Sequence, residues 1–166
     1  MRNEKVIFTT QAALIAALYV VLTLFANALG LANYAVQVRF SEALTVLPFF
    51  TPAAIPGLTI GCVLSNLLTG CLPLDILFGS IATLIGAIGT HLLRKYKLAA
   101  PIPPILANTA IVPFILAYVY QFEGSIPYFM ITVGLGEILS CGVLGMILLG
   151  VLMKYRGVIF KPSLFS

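Results

Sequence analysis

The sequence predicts an all-α integral membrane protein of six transmembrane helices, with both termini on the cytoplasmic side. Two observations lead to this prediction. First, 61% of the 166 residues are hydrophobic and only 8% are charged, whereas soluble domains carry about 25% charged residues. Because so few charges cannot cover a surface in water, lipid must be the main solvent. Second, basic residues occur in short clusters between long apolar stretches, which is typical of membrane proteins.

Six apolar stretches form the predicted helices of a single membrane domain over residues 1–166. A membrane span needs about 20 apolar residues. The stretch from Glu42 to Leu68 contains Pro48, Pro52 and Pro56, and because proline bends or ends a helix, we divide it into two helices. The first of these two is too short to cross a bilayer without help. The predicted helices lie at about residues 6–29, 42–50, 53–68, 74–93, 101–120 and 127–153.

The distribution of basic residues orients the predicted bundle. With six spans, one side of the membrane carries eight of the nine basic residues, and the other side carries Arg39 alone. The positive-inside rule makes the side with eight basic residues cytoplasmic. They do not form a continuous basic face, so we expect no nucleic-acid partner. The eight residues are Arg2, Lys5, Arg94, Lys95, Lys97, Lys154, Arg156 and Lys161.

Two acidic residues lie in or beside the later predicted spans. Glu137 is about ten residues into the last helix, roughly 15 Å deep, where a charged side chain costs about 2.5–3.5 kcal/mol. An ionisable group at that depth is functional by default, and a neutral glutamic acid bonded to a neighbouring helix is the structural alternative. Asp75 begins the fourth helix, where it either meets a ligand or interacts favourably with the helix dipole.

Other polar residues lie toward the side opposite the basic clusters. Arg39 and Glu42 are three residues apart, so they either pair with each other or line an external pocket. Asn66 and Gln121 can donate and accept hydrogen bonds, either to a ligand or to another helix. Asn108 lies nearer the cytoplasmic half, where we expect a structural role.

The first helix carries two overlapping pairs of alanines at a spacing of four residues. Small residues at this spacing let another helix approach closely, and that helix belongs either to the same protein or to a partner. The alanines are Ala12, Ala13, Ala16 and Ala17.

Sequence motifs of enzymes and nucleotide-binding proteins are missing. There is no G-x-x-x-x-G-K-[ST], H-E-x-x-H or G-x-S-x-G pattern, and the one histidine is His91. The three cysteines form no metal-binding motif. We therefore expect no catalytic residues, no metal and no cofactor.

Three segments of the sequence resemble the QueT family of queuosine-precursor transporters. They read VRFSEALTVLPFF at 38–50, TPAAIPG at 51–57 and LDILFGS at 74–80. The resemblance implies the substrate-capture (S) component of an energy-coupling-factor (ECF) transporter, a six-helix, multi-pass protein of the bacterial plasma membrane. Such a component binds a vitamin-like solute outside the cell and docks onto a module of one coupling membrane protein and two ATPases. Alanine motifs on the first helix are the family's usual docking surface, which implies this role for the four alanines.

The ligand implied by the resemblance is a 7-deazaguanine, either a queuosine precursor such as the aminomethyl compound or the free base queuine. Its guanine-like edge presents two adjacent N–H donors, which a carboxylate accepts in parallel. We predict Glu137 for this role and Asp75 or Glu42 for the ligand's ammonium group. Tyr34 or Phe40 would stack on the flat ring. The other predicted pocket residues are Arg39, Asn66 and Gln121.

Two other functions stay open at this point. A stand-alone proton-coupled secondary transporter would use Glu137 as its proton carrier and would show inverted repeats, of which the sequence gives no convincing sign. A small membrane enzyme would need a catalytic cluster, and the sequence offers none.

Overall fold

The structure is a computed structural model that describes residues 2–31 and 38–159. Within these ranges the chain forms helices and no strands, so the predicted all-helical class is confirmed. Four helices are long and apolar enough to cross a membrane: Asn3–Ala28, Pro73–Leu92, Lys97–Val119 and Ile126–Lys154. Two shorter apolar helices, Phe40–Phe49 and Ala54–Leu68, pack with them.

The helices follow one another along the chain with short connections. They are α1 (Arg2–Ala28), a 3-10 helix (Phe40–Phe49), α2 (Ala54–Leu68), α3 (Pro73–Leu92), α4 (Ile102–Phe114), α5 (Ile126–Glu137), α6 (Gly145–Lys154) and the short α7 (Arg156–Ile159). A 3-10 turn, Lys97–Ala99, precedes α4. The π-helical segment Ile115–Val119 extends α4, and a second one, Ile138–Leu144, joins α5 to α6 in one continuous helix.

Prolines and glycines set several helix boundaries. Pro73 and Pro127 stand in the first turns of α3 and α5, where a missing backbone N–H costs nothing. Gly30 and Gly70 follow the ends of α1 and α2 with φ of 75°, a left-handed conformation that glycine adopts without strain. The first helix begins at Arg2, before the predicted start near residue 6, because its charged first turn continues the helix beyond the apolar stretch.

Contacts between helices define two ends of the bundle. At one end the Thr51 hydroxyl donates to Gln11 Oε1 at 3.0 Å, and the Thr90 hydroxyl donates to the Ala100 carbonyl at 2.8 Å. We call this the basic end, because α3 leads there into Arg94 and α6 ends there at Lys154. The opposite end, where α1 and α2 end and α3 begins, is called the cavity end.

The sequence predicted a helix at the position of the 3-10 helix, but one too short to cross a bilayer. Its ten residues cover about 20 Å at a rise of about 2.0 Å per residue, against about 15 Å for an α-helix. It runs along α1 from the Phe25–Phe40 ring contact toward Thr51 at the basic end. Most of its residues are buried, including Ser41, Glu42 and Thr45. It therefore lies inside the bundle and delivers polar side chains to its interior.

Two glycines of α2 let α1 approach closely. A Cβ added to Gly57 would lie 2.7 Å from the Ala12 carbonyl oxygen, and one added to Gly61 would lie 3.1 Å from Ala16 Cα. Ala12 and Ala16 are accordingly buried between α1 and α2. Two of the four alanines predicted for docking thus serve internal packing, and Ala13 and Ala17 lie on the exposed face of α1.

Candidate functional site

A large cavity opens at the cavity end of the bundle. Its volume is about 580 Å³, within the ~300–1,000 Å³ range of small-molecule sites. Its walls come from the ends of α1 and α2, the start of α3, the π segment after α4, the following loop and the start of α5. Every helix boundary at this end contributes, so the cavity depends on the whole bundle rather than on one loop.

Three of the predicted site residues meet in this cavity. Arg39, Asn66 and Asp75 all line it, although they come from the start of the 3-10 helix, from α2 and from α3. Asn66 and Asp75 are both buried. A Cβ on Gly79 would lie 3.4 Å from both Asn66 Nδ2 and Asp75 Oδ1, so a glycine one turn beyond Asp75 keeps this polar corner open.

Tyr120 holds the Asp75 carboxylate in place. Its hydroxyl donates to Asp75 Oδ2 at 2.7 Å and accepts from the Leu72 backbone N–H at 3.3 Å. Burial and the hydrogen bond to Asp75 raise the pKa of the Tyr120 hydroxyl above its ordinary value, so it stays protonated and acts as a donor. Asp75 Oδ1 has no hydrogen-bond partner among the described residues and can accept from a ligand.

Among the described residues, aromatic side chains other than the predicted Phe40 line the cavity. Tyr120, Phe122, Tyr128 and Phe129 line it, and the rings of Tyr120 and Phe122 have centroids 5.6 Å apart. Phe40 instead packs against Phe25, with ring centroids 6.0 Å apart, and does not line the cavity.

Gln121 and Tyr34 are the two remaining residues that the sequence predicted for the site. Gln121 lies between two cavity residues, but its own side chain is exposed and outside the lining. Its backbone φ of 52° is left-handed, which turns the chain at the end of the π segment. Tyr34 lies outside the described residues.

A small second cavity adjoins the large one deeper in the bundle. Its volume is about 30 Å³. Arg39, Asp75 and Val112 line both cavities, while Glu42, Asn108 and Glu137 line only the deeper one. The structure therefore brings together the predicted residues Glu42 and Glu137, but it places them below the large cavity rather than in its wall.

The two glutamates are buried next to each other. Oxygens of Glu42 and Glu137 and the sulfur of Cys141 all lie within 4.8 Å of one another. Tyr19 donates to Glu42 Oε1 at 2.6 Å, whereas the buried Glu42 Oε2 has no hydrogen-bond partner among the described residues. Cys141 donates to Glu137 Oε2 at 3.1 Å.

Arg39 does not neutralise either glutamate by direct contact. Its guanidinium lines the deep cavity with Glu42 and Glu137, but within residues 2–31 and 38–159 it forms no ion pair with a carboxylate. No salt bridge within 4 Å joins Arg39 to Glu42 among the described residues, but the two side chains interact electrostatically across the deep cavity. Asn108 approaches both carboxylates from α4, yet leaves Glu42 Oε2 without a hydrogen bond.

Comparison with known proteins supplies the family. The family described as QueT transporter matches residues 9–154. The chain belongs to this family. The resemblance stated from the three sequence segments is thus confirmed, and the QueT family is one of transporters rather than enzymes.

One relative carries a more specific description. The chain is 33% identical over 98 residues to the queuosine precursor transporter QueT of Lactococcus lactis subsp. cremoris (strain MG1363). The match covers 58% of this chain and 57% of that protein, so it spans little more than half of the relative's length. No solved structure matches the chain.

Some residues of this QueT-family site were missed from the sequence. Asn108 was given a structural role, and Tyr19 and Cys141 were given none. The spacing of Glu137 and Cys141, four residues apart, could have shown that they share a helix face. No local signal marks Tyr19, because its contact with Glu42 depends on how the 3-10 helix lies along α1.

Proposed function

We propose that the protein is the substrate-capture component of an ECF-type importer, with six spans and both termini in the cytoplasm of a bacterium. One observation carries the proposal: a cavity of about 580 Å³ opens at the end of the bundle opposite the basic end. By the positive-inside rule the basic end faces the cytoplasm. The cavity then faces outward across the plasma membrane, where it receives a solute from outside.

The proposed solute is a queuosine precursor or queuine, bound through its 7-deazaguanine ring in the large cavity. The ring stacks on the cavity's aromatic side chains, of which Tyr128 is exposed at the rim and Phe129 is buried. Asp75 accepts the two adjacent N–H donors of the guanine-like edge, and Arg39 donates to the ring carbonyl. The sequence predicted that Glu137 accepts these two N–H donors. We assign this role to Asp75 instead, because Glu137 lines only a cavity of about 30 Å³ that cannot hold a bicyclic ring.

Energy for import comes, in this proposal, from a module of a coupling membrane protein and two ATPases. Ala13 and Ala17 on the exposed face of α1 form the docking surface for this module. Small side chains there let a partner helix approach closely.

An uptake measurement tests the proposal against a proton-coupled secondary transporter. Cells that lack other uptake routes would express the protein with or without the coupling module, and accumulation of labelled 7-deazaguanine would be followed. We expect ATP-dependent accumulation only when the module is present. Accumulation without the module, abolished by a protonophore, would instead establish the secondary transporter.

The docking surface has its own test. Replacing Ala13 and Ala17 together by leucine should prevent co-purification with the module and leave ligand binding unchanged, because neither alanine lines a cavity. Ala110→Leu, a matched enlargement at an exposed position of α4, should leave co-purification intact. Normal co-purification of the double variant would remove α1 from the docking proposal.

A further inference from the structure

We propose that the basic end of the bundle carries a binding surface for the headgroups of anionic phospholipids. The proposal goes beyond the capture of a solute, because it concerns the end of the protein that lies opposite the large cavity. We call this surface the basic patch. It consists of five exposed cations from two separate stretches of the chain: Arg94, Lys95, Lys97, Lys154 and Arg156.

The fold brings these two stretches together. Three of the five cations follow α3, and the other two lie at the junction of α6 and α7. Ala100, three residues after Lys97, is buried in one apolar cluster with Leu149 of α6, and Met153 packs against the same cluster. Lys154 follows Met153 directly. The two stretches therefore lie side by side at the basic end, although α4 and α5 separate them in the sequence.

Hydrogen bonds hold the connection between α3 and α4, which carries three of the cations, in a fixed conformation. The Tyr96 N–H donates to the Leu93 carbonyl at 2.9 Å, and the Ala100 N–H donates to the Lys97 carbonyl at 3.3 Å. The Thr90 hydroxyl donates to the Ala100 carbonyl at 2.8 Å and ties the connection back to α3. Because the backbone is already ordered, a partner that binds there has less conformational entropy to overcome.

The positive charge of the basic patch is not neutralised within the described part of the protein. None of its five cations forms an ion pair there. Lys154 Nζ lies 5.9 Å from the centroid of the Tyr155 ring, a contact that leaves the lysine charged. The chain has five acidic residues, all of them described, and Glu4 alone lies toward this end, exposed in the first turn of α1. The patch therefore favours an anionic partner.

The lengths of two spanning helices place the basic patch at the level of the lipid headgroups. The 20 residues of α3 cover about 30 Å, which is the thickness of the hydrocarbon core. The continuous helix Ile126–Lys154 has 29 residues and covers about 44 Å, enough to reach through the headgroups as well. Both helices thus lead directly into the basic patch where lipid phosphates lie. In the proposed orientation this is the cytoplasmic leaflet, whose surface is negatively charged.

Exposed apolar side chains lie among the cations and favour a lipid over an acidic protein as the partner. Leu92 is 74% exposed and Leu98 is 81% exposed, and Tyr96 and Tyr155 are exposed beside them. At a membrane interface such leucines reach the acyl chains and tyrosines lie among the headgroups. The neighbouring lysines and arginines can then donate charge-assisted hydrogen bonds to the phosphates.

Native mass spectrometry of the purified full-length protein tests the proposal. The protein in a non-ionic detergent would be offered equal amounts of phosphatidylglycerol and phosphatidylcholine with the same acyl chains. Since each basic side chain near an anionic surface contributes about fivefold in affinity, we expect phosphatidylglycerol to bind at least about tenfold more tightly. Higher ionic strength should reduce this preference.

Two double variants locate the preference on the protein. Lys95→Gln combined with Lys97→Gln should lower the affinity for phosphatidylglycerol by about tenfold or more, with phosphatidylcholine changed less than about twofold. Lys95→Arg combined with Lys97→Arg keeps both charges and should retain the wild-type preference. Thermal unfolding without lipid checks that each variant is folded, and the wild-type comparison decides the matter even if one is not.

Four outcomes would overturn the proposal. Equal binding of the two lipids by wild-type protein would refute it. An unchanged preference in the glutamine variant would place the lipid elsewhere on the protein. Binding of free glycerol 3-phosphate as tightly as phosphatidylglycerol would indicate a site for a soluble phosphate. Loss of co-purification with the coupling module in the glutamine variant, without any lipid preference in wild-type protein, would make the basic patch a protein-docking surface. None of these results bears on solute capture at the opposite end.

Discussion

The two ends of this bundle are built in opposite ways. Toward the basic end, helices are held together by backbone contact: a Cβ added to Gly86 would lie 2.7 Å from Pro104 Cα, and one added to Gly89 would lie 2.5 Å from Pro103 Cβ. At the cavity end the same helices separate around about 580 Å³ of space lined by polar and aromatic side chains. Tight packing at one end thus fixes the helices that must leave a defined space at the other.

The two ends of the bundle also differ in the hydrogen bonding of their polar groups. Toward the basic end, polar groups of the described residues find hydrogen-bond partners within the protein, as the Thr90 hydroxyl does at the Ala100 carbonyl. The buried carboxylate oxygen that lacks a partner, Glu42 Oε2, lies next to the cavities instead. The other buried side-chain atom without a partner among the described residues, Thr109 Oγ1, lines neither cavity, so Glu42 Oε2 is the acceptor that a ligand in the cavities can use.

The difference between the two ends of the bundle predicts that substitution of Asp75 has the largest effect, which is on ligand affinity. Asp75→Asn replaces one acceptor oxygen by a donor that faces the ligand's own N–H groups, so every 7-deazaguanine should bind about tenfold to a hundredfold more weakly. Calorimetry measures this change. Glu123→Gln, the same loss of charge at an exposed rim position, should change affinity by less than about threefold. Unchanged binding in Asp75→Asn would remove the ring-edge role from this carboxylate.

A methyl group added at the tightly packed end should lower the stability of the protein without changing the cavity. Gly86→Ala forces Pro104 to move, and we expect a loss of about 1–3 kcal/mol in the free energy of unfolding, measured by thermal denaturation in detergent. Gly150 has nothing within 4 Å of an added Cβ, so Gly150→Ala should stabilise the protein slightly, by about 0.5–1 kcal/mol. Equal effects of the two substitutions would show that close packing does not distinguish the two sites.

The smallest effect is expected at Tyr120. Tyr120→Phe keeps the ring at the cavity but removes the hydroxyl that joins Asp75 to the Leu72 backbone. Loss of a hydrogen bond worth about 1 kcal/mol should weaken ligand binding about threefold to tenfold. Tyr118→Phe is the matched control, because Tyr118 is 70% exposed and lines neither cavity. Equal affinities in both variants would mean that Asp75 needs no such support.

The sequence predicted the all-helical class of fold and drew attention to several polar residues that line the two cavities. Low charge revealed the membrane setting, and isolated acids such as Glu137 and Asp75 stood out because lipid makes them costly. Aromatic residues gave no such signal: with 11 phenylalanines and 7 tyrosines in the chain, Phe40 was preferred over Tyr120 and Phe129. Which face of a helix points inward could not be predicted either, since lipid-facing residues such as Leu14, 60% exposed, are as apolar as buried ones.

The relation between the two cavities depends on features with no local sequence signal. The 3-10 geometry of residues 40–49 places Glu42 beside Tyr19, whereas Pro48 in this helix and the two prolines after it predicted only an interruption. The π-helical segment at Ile138–Leu144 begins next to Glu137, and such segments are frequent at functional sites. Their positions follow from packing across the bundle rather than from neighbouring residues.

Cysteine labelling in intact cells tests the central claim, an outward-facing cavity that holds the ligand. Cys71 lines the large cavity and is partly exposed, while Cys62 and Cys141 are buried. We predict that a membrane-impermeant maleimide added outside the cells modifies Cys71, that aminomethyl-7-deazaguanine suppresses the reaction and riboflavin does not, and that Cys71→Ser abolishes it. Labelling that occurs only after the membrane is opened, or that the ligand fails to suppress, would contradict the account.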